Sequence, residues 1–159
     1  VAAANHIYDG MHNIIRHLRP GSLDNLGLSE TIKDTINHLQ KQYPDIKFKL
    51  DLAGDLDGFG ENLNINFYRI IQESLNNALK HAKAKVIRVS LKQDKKGSLN
   101  LVIQDDGLGM DIDQVDQTQH FGLLGIRERI QAFHGQFNIE SSPEKGTKII
   151  IQIPKESVA

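Results

Sequence analysis

Apolar positions change their spacing several times along the chain, and each change predicts a different element. Ile7, Met11, Ile14, Ile15 and Leu18 recur at intervals of three and four, which places them on one stripe of a helix. Pro20 disfavours helical geometry at Arg19, so that helix should stop or kink at Leu18-Arg19-Pro20-Gly21. A second helical run carries Leu28, Ile32, Ile36 and Leu39 on one face, with Ser29 as its expected N-cap, and the two stripes suit a helical hairpin or bundle arm and equally packing onto the rest of the chain. Beyond Pro44 the period drops to two. Phe48, Leu50 and Leu52 alternate with Lys47, Lys49 and Asp51, the pattern of a strand with one buried face. Gly54, Gly58 and Gly60 mark a loop, after which residues 64–82 return to helical spacing through Phe67, Ile70, Ile71, Leu75, Ala78 and Leu79. Residues 84–93 and 99–103 read as strands joined by the turn Asp94-Lys95-Lys96-Gly97. Residues 107–121 are polar and weakly patterned, a loop; residues 122–134 are helical; residues 137–139 and 147–153 form a closing strand pair.

Strands in hairpins with helices between them predict an α/β fold of the two-layer sandwich kind rather than a doubly wound parallel sheet. The phosphate-binding rules of the doubly wound fold are therefore not assumed. Composition narrows the chemistry further. The 159 residues are 39% hydrophobic and 25% charged, enough to build a core. Cysteine is absent, which removes disulfides, thiolate metal sites and cysteine nucleophiles together. Lys and Arg number 19 against 20 Asp and Glu, a net charge of −1 that leaves no overall footprint for nucleic acid. No apolar run reaches the roughly 18 residues that a membrane span needs. The chain opens on Val1 with no signal-peptide pattern, and so reads as a piece of a longer polypeptide.

Candidate chemistry lies in four short stretches. In Glu73-Ser74-Leu75-Asn76-Asn77-Ala78-Leu79-Lys80-His81, helical spacing aligns Glu73, Asn77 and His81 along one row with Lys80 beside it. A carboxamide oxygen suits Mg²⁺, which takes hard oxygen ligands and keeps several waters, while Lys80 can face phosphate charge. Asp105-Asp106-Gly107-Leu108-Gly109 begins where an apolar strand ends. Its glycines permit close backbone approach to a planar ligand, and its carboxylate can accept from an exocyclic amine such as adenine N6. Gly122-Leu123-Leu124-Gly125-Ile126-Arg127-Glu128-Arg129 opens a helix whose free N–H groups could face phosphate, with residues 110–121 as a lid. Gly146-Thr147 precedes the last strand. Read one at a time, each stretch is also compatible with a tight turn or a solvated helix face.

Their order carries more than their content. Residues 73–84 resemble the N box of bacterial sensor histidine kinases, residues 105–109 the G1 box, residues 122–129 the G2 region, and Gly146-Thr147 the G3 box. All four occur in the family's order across about residues 45–154. Leu18-Arg19-Pro20-Gly21-Ser22-Leu23-Asp24-Asn25-Leu26-Gly27-Leu28 is similar to the end of the dimerisation domain in the nitrate-sensor and membrane-fluidity-sensor subfamily. That segment separates the chain from the gyrase, Hsp90 and mismatch-repair ATPases that share the boxes. The resemblance implies a Bergerat (GHKL) ATP-binding fold over residues 44–159, preceded by a helical remnant of the dimerisation domain and linker over residues 1–43. It implies that ATP and Mg²⁺ are the cofactors. Asn77 would ligate the metal, Asp105 would bind the adenine amine, and Gly107 and Gly109 would shape its pocket. Gly122, Leu123 and Gly125 would anchor the lid, Lys80 and His81 would lie near phosphate, and Thr147 would support the Asp105 end. Glu73 would orient the attacking group. The implied partners are a DNA-binding response regulator and a second copy of the full-length protein, with no direct nucleic-acid contact. The implied place is the cytoplasmic portion of a bacterial sensor held at the plasma membrane only by segments outside this chain.

Three departures accompany the resemblance. Asp106 stands where many relatives have Asn. His120-Phe121 precede Gly122, where the wider superfamily often has Gly-x-Gly. None of His6, His12 and His17 sits in a phosphoacceptor setting, so the histidine that receives phosphate is expected outside this chain, and the fragment is expected to bind ATP without phosphorylating itself. Two other readings remain at this point: a regulatory module that binds nucleotide and signals by lid closure alone, and a helical interaction fragment whose motifs are only turns.

Overall fold

A computed structural model describes residues 21–56, 61–109 and 123–154. The elements are α1 (Gly21–Gln42), β1 (Lys47–Ala53), α2 (Glu61–Asn77) with a π-helical turn over Ala78–Ala82, β2 (Val86–Gln93) and β3 (Leu99–Asp105). They continue with α3 (Leu123–Ala132), β4 (Gln136–Ser141) and β5 (Thr147–Ile153). The expected helix over residues 7–18, and its break at residues 18–20, lie outside the described residues.

The strands form one sheet in the order β1-β2-β3-β5-β4. β1 runs parallel to β2, because the chain crosses through α2 between them; the other three pairings are antiparallel. Alternation along the strands shows that one face is covered. Ile87, Val89, Leu91, Leu101, Ile103, Ile149 and Ile151 are buried, while Arg88, Lys92, Gln104 and Gln152 on the opposite face are exposed. The covering layer is helical: Leu28 and Ile32 of α1, Phe67, Ile70, Ile71 and Leu75 of α2, and Ile126 and Ile130 of α3 join those strand residues in a single core. The architecture is the expected two-layer α/β sandwich. Arg127 lies over the Phe137 ring at 5.5 Å and ties α3 to the sheet edge.

Two local features differ from the sequence reading. Within the described residues the helix break falls at Gly27 (φ 80°, ψ 176°), a conformation essentially restricted to glycine. The cap position is therefore Gly27 rather than Ser29, and Thr31 Oγ1 donates back to the Gly27 carbonyl at 2.7 Å. Second, the long helix leaves α geometry after Asn77; the wider π turn ends at Lys83 in the left-handed region (φ 50°). A periodicity argument drawn at 3.6 residues per turn has no signal for that change. Of the two arrangements open for the second helical stripe, packing onto the rest of the chain is the one found, since Leu28, Ile32, Ile36 and Leu39 share the core of the sheet.

A polar ladder runs between α1 and α2 beside this core. Thr35 Oγ1 donates to the Thr31 carbonyl at 2.9 Å and meets the Tyr68 hydroxyl at 3.0 Å. Gln72 Nε2 donates to the same hydroxyl at 3.0 Å. Gln40 binds the chain after α1, donating to the Ile46 carbonyl and accepting from the Phe48 N–H, and so fixes where β1 starts.

Candidate functional site

The sheet register sets up the site. Asp105 pairs with Thr147 across β3 and β5, and Thr147 pairs with Ser141 across β5 and β4. Three polar side chains thus continue the buried face at the end where the strands stop. Asp105 is 8% exposed, and its Oδ1 accepts from the Gly107 N–H at 2.9 Å. Burial pushes this carboxyl above its ordinary value; hydrogen bonds from the Gly107 and Thr147 main chain pull the other way, and the neighbouring Asp106 charge adds to the rise. Ser141 Oγ donates to the Gly146 carbonyl at 2.9 Å and lies 2.9 Å from Thr147 Oγ1.

Two glycines let the loops close on one another. A Cβ on Gly109 (φ 65°) would come within 2.1 Å of the Ser142 carbonyl oxygen, and one on Gly146 (φ 78°) within 2.1 Å of the Asp105 carbonyl oxygen. Any side chain at either position would drive the β4–β5 loop away from the loop after β3. The Glu144 N–H donates to the Leu108 carbonyl and completes that contact. A cavity of about 480 Å³ opens here, lined by Gln104, Asp105, Ile139, Glu140, Ser141, Ser142, Lys145, Gly146, Thr147 and Lys148.

Asp106 has a different task from its neighbour. Its Oδ1 accepts from the N–H groups of Lys85 at 2.8 Å and Val86 at 2.9 Å. The bond to Val86, with Lys85 contributing less, holds this exposed carboxyl below its ordinary value despite some opposing desolvation. The clamp joins the loop after β3 to the chain that leaves the π turn. An Asn would accept the same bonds through its carbonyl oxygen, which accounts for the exchange noted in the sequence.

α2 packs against α3 and across β3, and its C-terminal half carries the first cluster. Glu73 and Asn77 are half-buried, Asn77 being the last α-helical residue; Lys80 is exposed in the π turn. His81 lies in the same turn, its side chain outside the described residues. The straight stripe drawn from Glu73 to His81 is therefore broken at Asn77, because the π turn rotates the residues beyond it. Ser74 and Gln72 are buried beside Glu73, and Ser74 Oγ and Gln72 Oε1 have no protein partner. Gly125 lies in the first turn of α3, where a Cβ would stand 3.4 Å from Arg129 Nη1. Gly122 and the Leu123 side chain lie outside the described residues.

The structure therefore brings Asp105, Gly107, Gly109 and Thr147 into one cradle and sets Glu73 and Asn77 on the helix packed against it. Sequence reasoning missed Ser141 and the clamp at Asp106. Ser141 has no motif to announce it, and its alignment with Thr147 exists only through the β4–β5 register. Among the described residues no three His, Cys, Asp or Glu side chains group in a way that could hold a metal ion. No described helix is long and apolar enough to cross a membrane.

Comparison with known proteins places the chain in a family. Residues 62–157 match the family described as histidine kinase-, DNA gyrase B-, and HSP90-like ATPase. The signal transduction histidine-protein kinase/phosphatase DegS of Brevibacillus brevis is 36% identical over 145 residues, 91% of this chain and 36% of DegS. Sensor histidine kinase YdfH of Bacillus subtilis is 49% identical over 90 residues, 56% of this chain and 22% of YdfH. The chain thus spans 36% of the length of DegS and 22% of that of YdfH. Its fold is similar to the histidine kinase domain of the blue-light activated histidine kinase EL346 of Erythrobacter litoralis, with a TM-score of 0.67, 23% identity, and coverage of 81% of this chain and 62% of that one. The chain belongs to the histidine kinase-, DNA gyrase B- and HSP90-like ATPase family, in its sensor histidine kinase branch.

Proposed function

We propose that this domain binds ATP in the cradle between β3, the β4–β5 loop and α2, and donates the γ-phosphoryl to a histidine outside this chain for relay to a response regulator. The observation that carries the reading is Asp105: a buried carboxylate, held by two main-chain N–H groups, in a cavity whose two loops close only because Gly109 and Gly146 lack side chains. A carboxylate so placed accepts from an amine of a flat ring, and a charge-assisted bond of that kind is worth ~1.5–3 kcal/mol. Gly107 and Gly109 shape the ring's floor, and Thr147 holds the Asp105 end through its N–H. Gly122, Leu123 and Gly125 anchor the lid at the start of α3.

The donor set at the end of α2 fits Mg²⁺. That ion takes one or two protein oxygens beside phosphate oxygens and water, and Asn77 supplies one such oxygen with Glu73 a turn before it. The ion neutralises charge on the phosphates. Lys80 and His81 face the phosphates from the π turn, and Glu73 orients the attacking imidazole. Catalysis is then positioning and electrostatics rather than covalent chemistry by the domain. In the full-length protein the receiving histidine lies on a dimerisation domain, two copies pair, and the regulator is a DNA-binding one. The domain works on the cytoplasmic side of the membrane. Residues from Gly27 onward form the catalytic unit, because α1 past the kink is buried in its core.

Calorimetry with ADP and Mg²⁺ tests the binding step, and phosphate transfer from radiolabelled ATP in the full-length protein tests the reaction. Saturable binding with transfer supports the reading; binding without transfer makes the domain a regulatory nucleotide module; no binding at millimolar nucleotide ends it.

A further inference from the structure

β1 ends the sheet, so one of its edges has no strand beside it. The Lys47 N–H donates to the Lys85 carbonyl just before β2. Main-chain direction alternates along a strand, so Lys47, Lys49 and Asp51 turn theirs toward β2 and Phe48, Leu50 and Leu52 turn theirs outward. Gln40 closes the start of this outer edge. Its carboxamide donates to the Ile46 carbonyl at 2.7 Å and accepts from the Phe48 N–H at 3.1 Å, as a peptide group of a paired strand would. From the Phe48 carbonyl onward the edge is open: among the described residues no hydrogen bond reaches the outward main chain of Leu50 or Leu52. Such an edge is a template for a further strand.

The residues of β1 decide which strand fits. The strand runs Lys47–Ala53 with Leu50 at its centre. An antiparallel copy, related by a two-fold axis through Leu50, opposes Leu50 to itself, Phe48 to Leu52, Lys49 to Asp51 and Lys47 to Ala53. The outward groups of the two Leu50 residues then exchange N–H···O bonds, and each Leu52 N–H reaches the Phe48 carbonyl of the other copy. Gln40 keeps its place, because the incoming strand ends at Ala53 as it draws level and leaves through Gly54, whose φ is 90°. On the covered face the half-buried Phe48, Leu50 and Leu52, already packed against the core, gain apolar neighbours. On the other face each Lys49 meets an Asp51. No other two-fold register of β1 opposes unlike charges without also opposing like ones.

Both charges are available for such a contact. Lys49 stands directly opposite Arg88 in the β1–β2 register, a like-charge pairing that costs stability. Among the described residues it has no ion-pair partner to offset that cost. Asp51 is 65% exposed; Lys92 holds its Oδ2 at 2.8 Å, and Oδ1 is left over. Lysines on an edge ordinarily repel an incoming strand. Asp51 at the mirrored position turns that guard into a selector for the same sequence. The other free edge, β4, carries Glu140 as its one charge and has no such complement.

We propose that the β1 edge is a self-recognition surface: two copies of this domain join antiparallel about Leu50, continuing one sheet across both, held by main-chain bonds and reciprocal Lys49–Asp51 pairs. The interface is isologous. It is also small and therefore weak, but copies tethered in one assembly meet at about millimolar effective concentration. The surface lies on a different strand from the nucleotide cradle, and neither reading depends on the other.

Sedimentation equilibrium of the 159-residue chain, read up to about 1 mM, tests the proposal. The wild type should show a monomer–dimer equilibrium. Lys49→Asp leaves carboxylate facing carboxylate and Asp51→Lys leaves ammonium facing ammonium, so each should weaken association about tenfold or more. Mixed in equal amounts, the two variants restore unlike pairs at both positions and should form a heterodimer of about wild-type strength, which also shows that each still folds at β1. The double variant Lys49→Asp/Asp51→Lys reverses both signs and should associate with itself. A wild type that stays monomeric overturns the proposal. So do single variants that associate as the wild type does, since another surface is then responsible, and so does a mixture that associates no better than its components.

Discussion

Asp105 and Asp106 are adjacent carboxylates with opposite electrostatic fates, and two substitutions separate them. Burial raises the Asp105 pKa above the ordinary 3.8, so between that value and its own the native protein holds more proton than the unfolded chain. Stability contributed there falls as pH climbs through the window. Asp105→Asn lacks this slope while keeping a carbonyl oxygen for the Gly107 N–H. In urea titrations from acid to neutral pH, the variant should gain on the wild type as pH rises, and a parallel pair of curves would refute the cost of burying this charge. The same variant should bind ADP more weakly by ~1.5–3 kcal/mol, roughly 10- to 150-fold. A site residue that costs stability and contributes affinity is an expected exchange at functional positions. Asp106 has the reverse sign: its pKa lies below 3.8, so its contribution is present above the unfolded value and disappears as acid takes the pH through the native one. Asp106→Ala removes the acceptor for two N–H groups and should cost about 1 kcal/mol in denaturant unfolding. Asp106→Asn should sit near the wild type, and an Asn variant as damaged as Ala would mean that charge rather than geometry holds the clamp.

At the scale of elements, α1 and α2 are joined by more than apolar contact. The Tyr68 hydroxyl receives Gln72 Nε2 and meets Thr35 Oγ1 in a region where Gln72 is only 8% exposed. Tyr68→Phe keeps the ring in the core but strands the Gln72 amide, whose Oε1 already has no protein partner. The expected loss is about 1–3 kcal/mol in thermal or urea unfolding; a change within a few tenths would show that water replaces the hydroxyl. These elements also show what a sequence can carry. Period-two alternation located β1 at Phe48, Leu50 and Leu52, and the Asp94 turn, whose carboxylate accepts from the Lys96 and Ser98 N–H groups, located the β2–β3 hairpin. Both are local signals. The parallel pairing of β1 with β2 and the insertion of β5 between β3 and β4 are not written in any window of residues, because register is decided by which face finds the helices. The π turn escaped for a related reason: Ala78 to Ala82 have the composition of an ordinary helix end, and only packing widens it. The same divide runs through the site. Asp105, Gly107, Gly109 and Thr147 were legible because motif residues in order survive without coordinates, whereas Ser141 and the Asp106 clamp depend on partners 5 to 21 residues away.

For the whole molecule, the consequential question is where the cooperative unit begins. The resemblance assigns residues 1–43 to a dimerisation remnant and linker, yet Leu28 and Ile32 are fully buried and Ile36 and Leu39 are 7% exposed in the core shared with the sheet. Fully burying such a side chain is worth ~1.5–3 kcal/mol, so the four together contribute roughly 6–12 kcal/mol. Whole domains of this size are stable by only ~5–15 kcal/mol. A chain that starts at Pro44 would leave Ile70, Ile71 and the β1 side chains without their cover and should lack a cooperative melting transition. A chain that starts at Gly27 keeps all four anchors, together with the Thr35–Tyr68 contact, and should melt cooperatively within a few degrees of the 159-residue protein. The kink itself marks the joint: at φ 80° and ψ 176° the helix is interrupted at Gly27. Gly27→Ala should therefore straighten or strain the joint at a cost of ~1–3 kcal/mol in the 159-residue protein. The decisive comparison is calorimetric melting of the two shortened chains. A cooperative transition in the chain from Pro44 would place the boundary after α1, and α1 would then be a cover laid on a domain already complete.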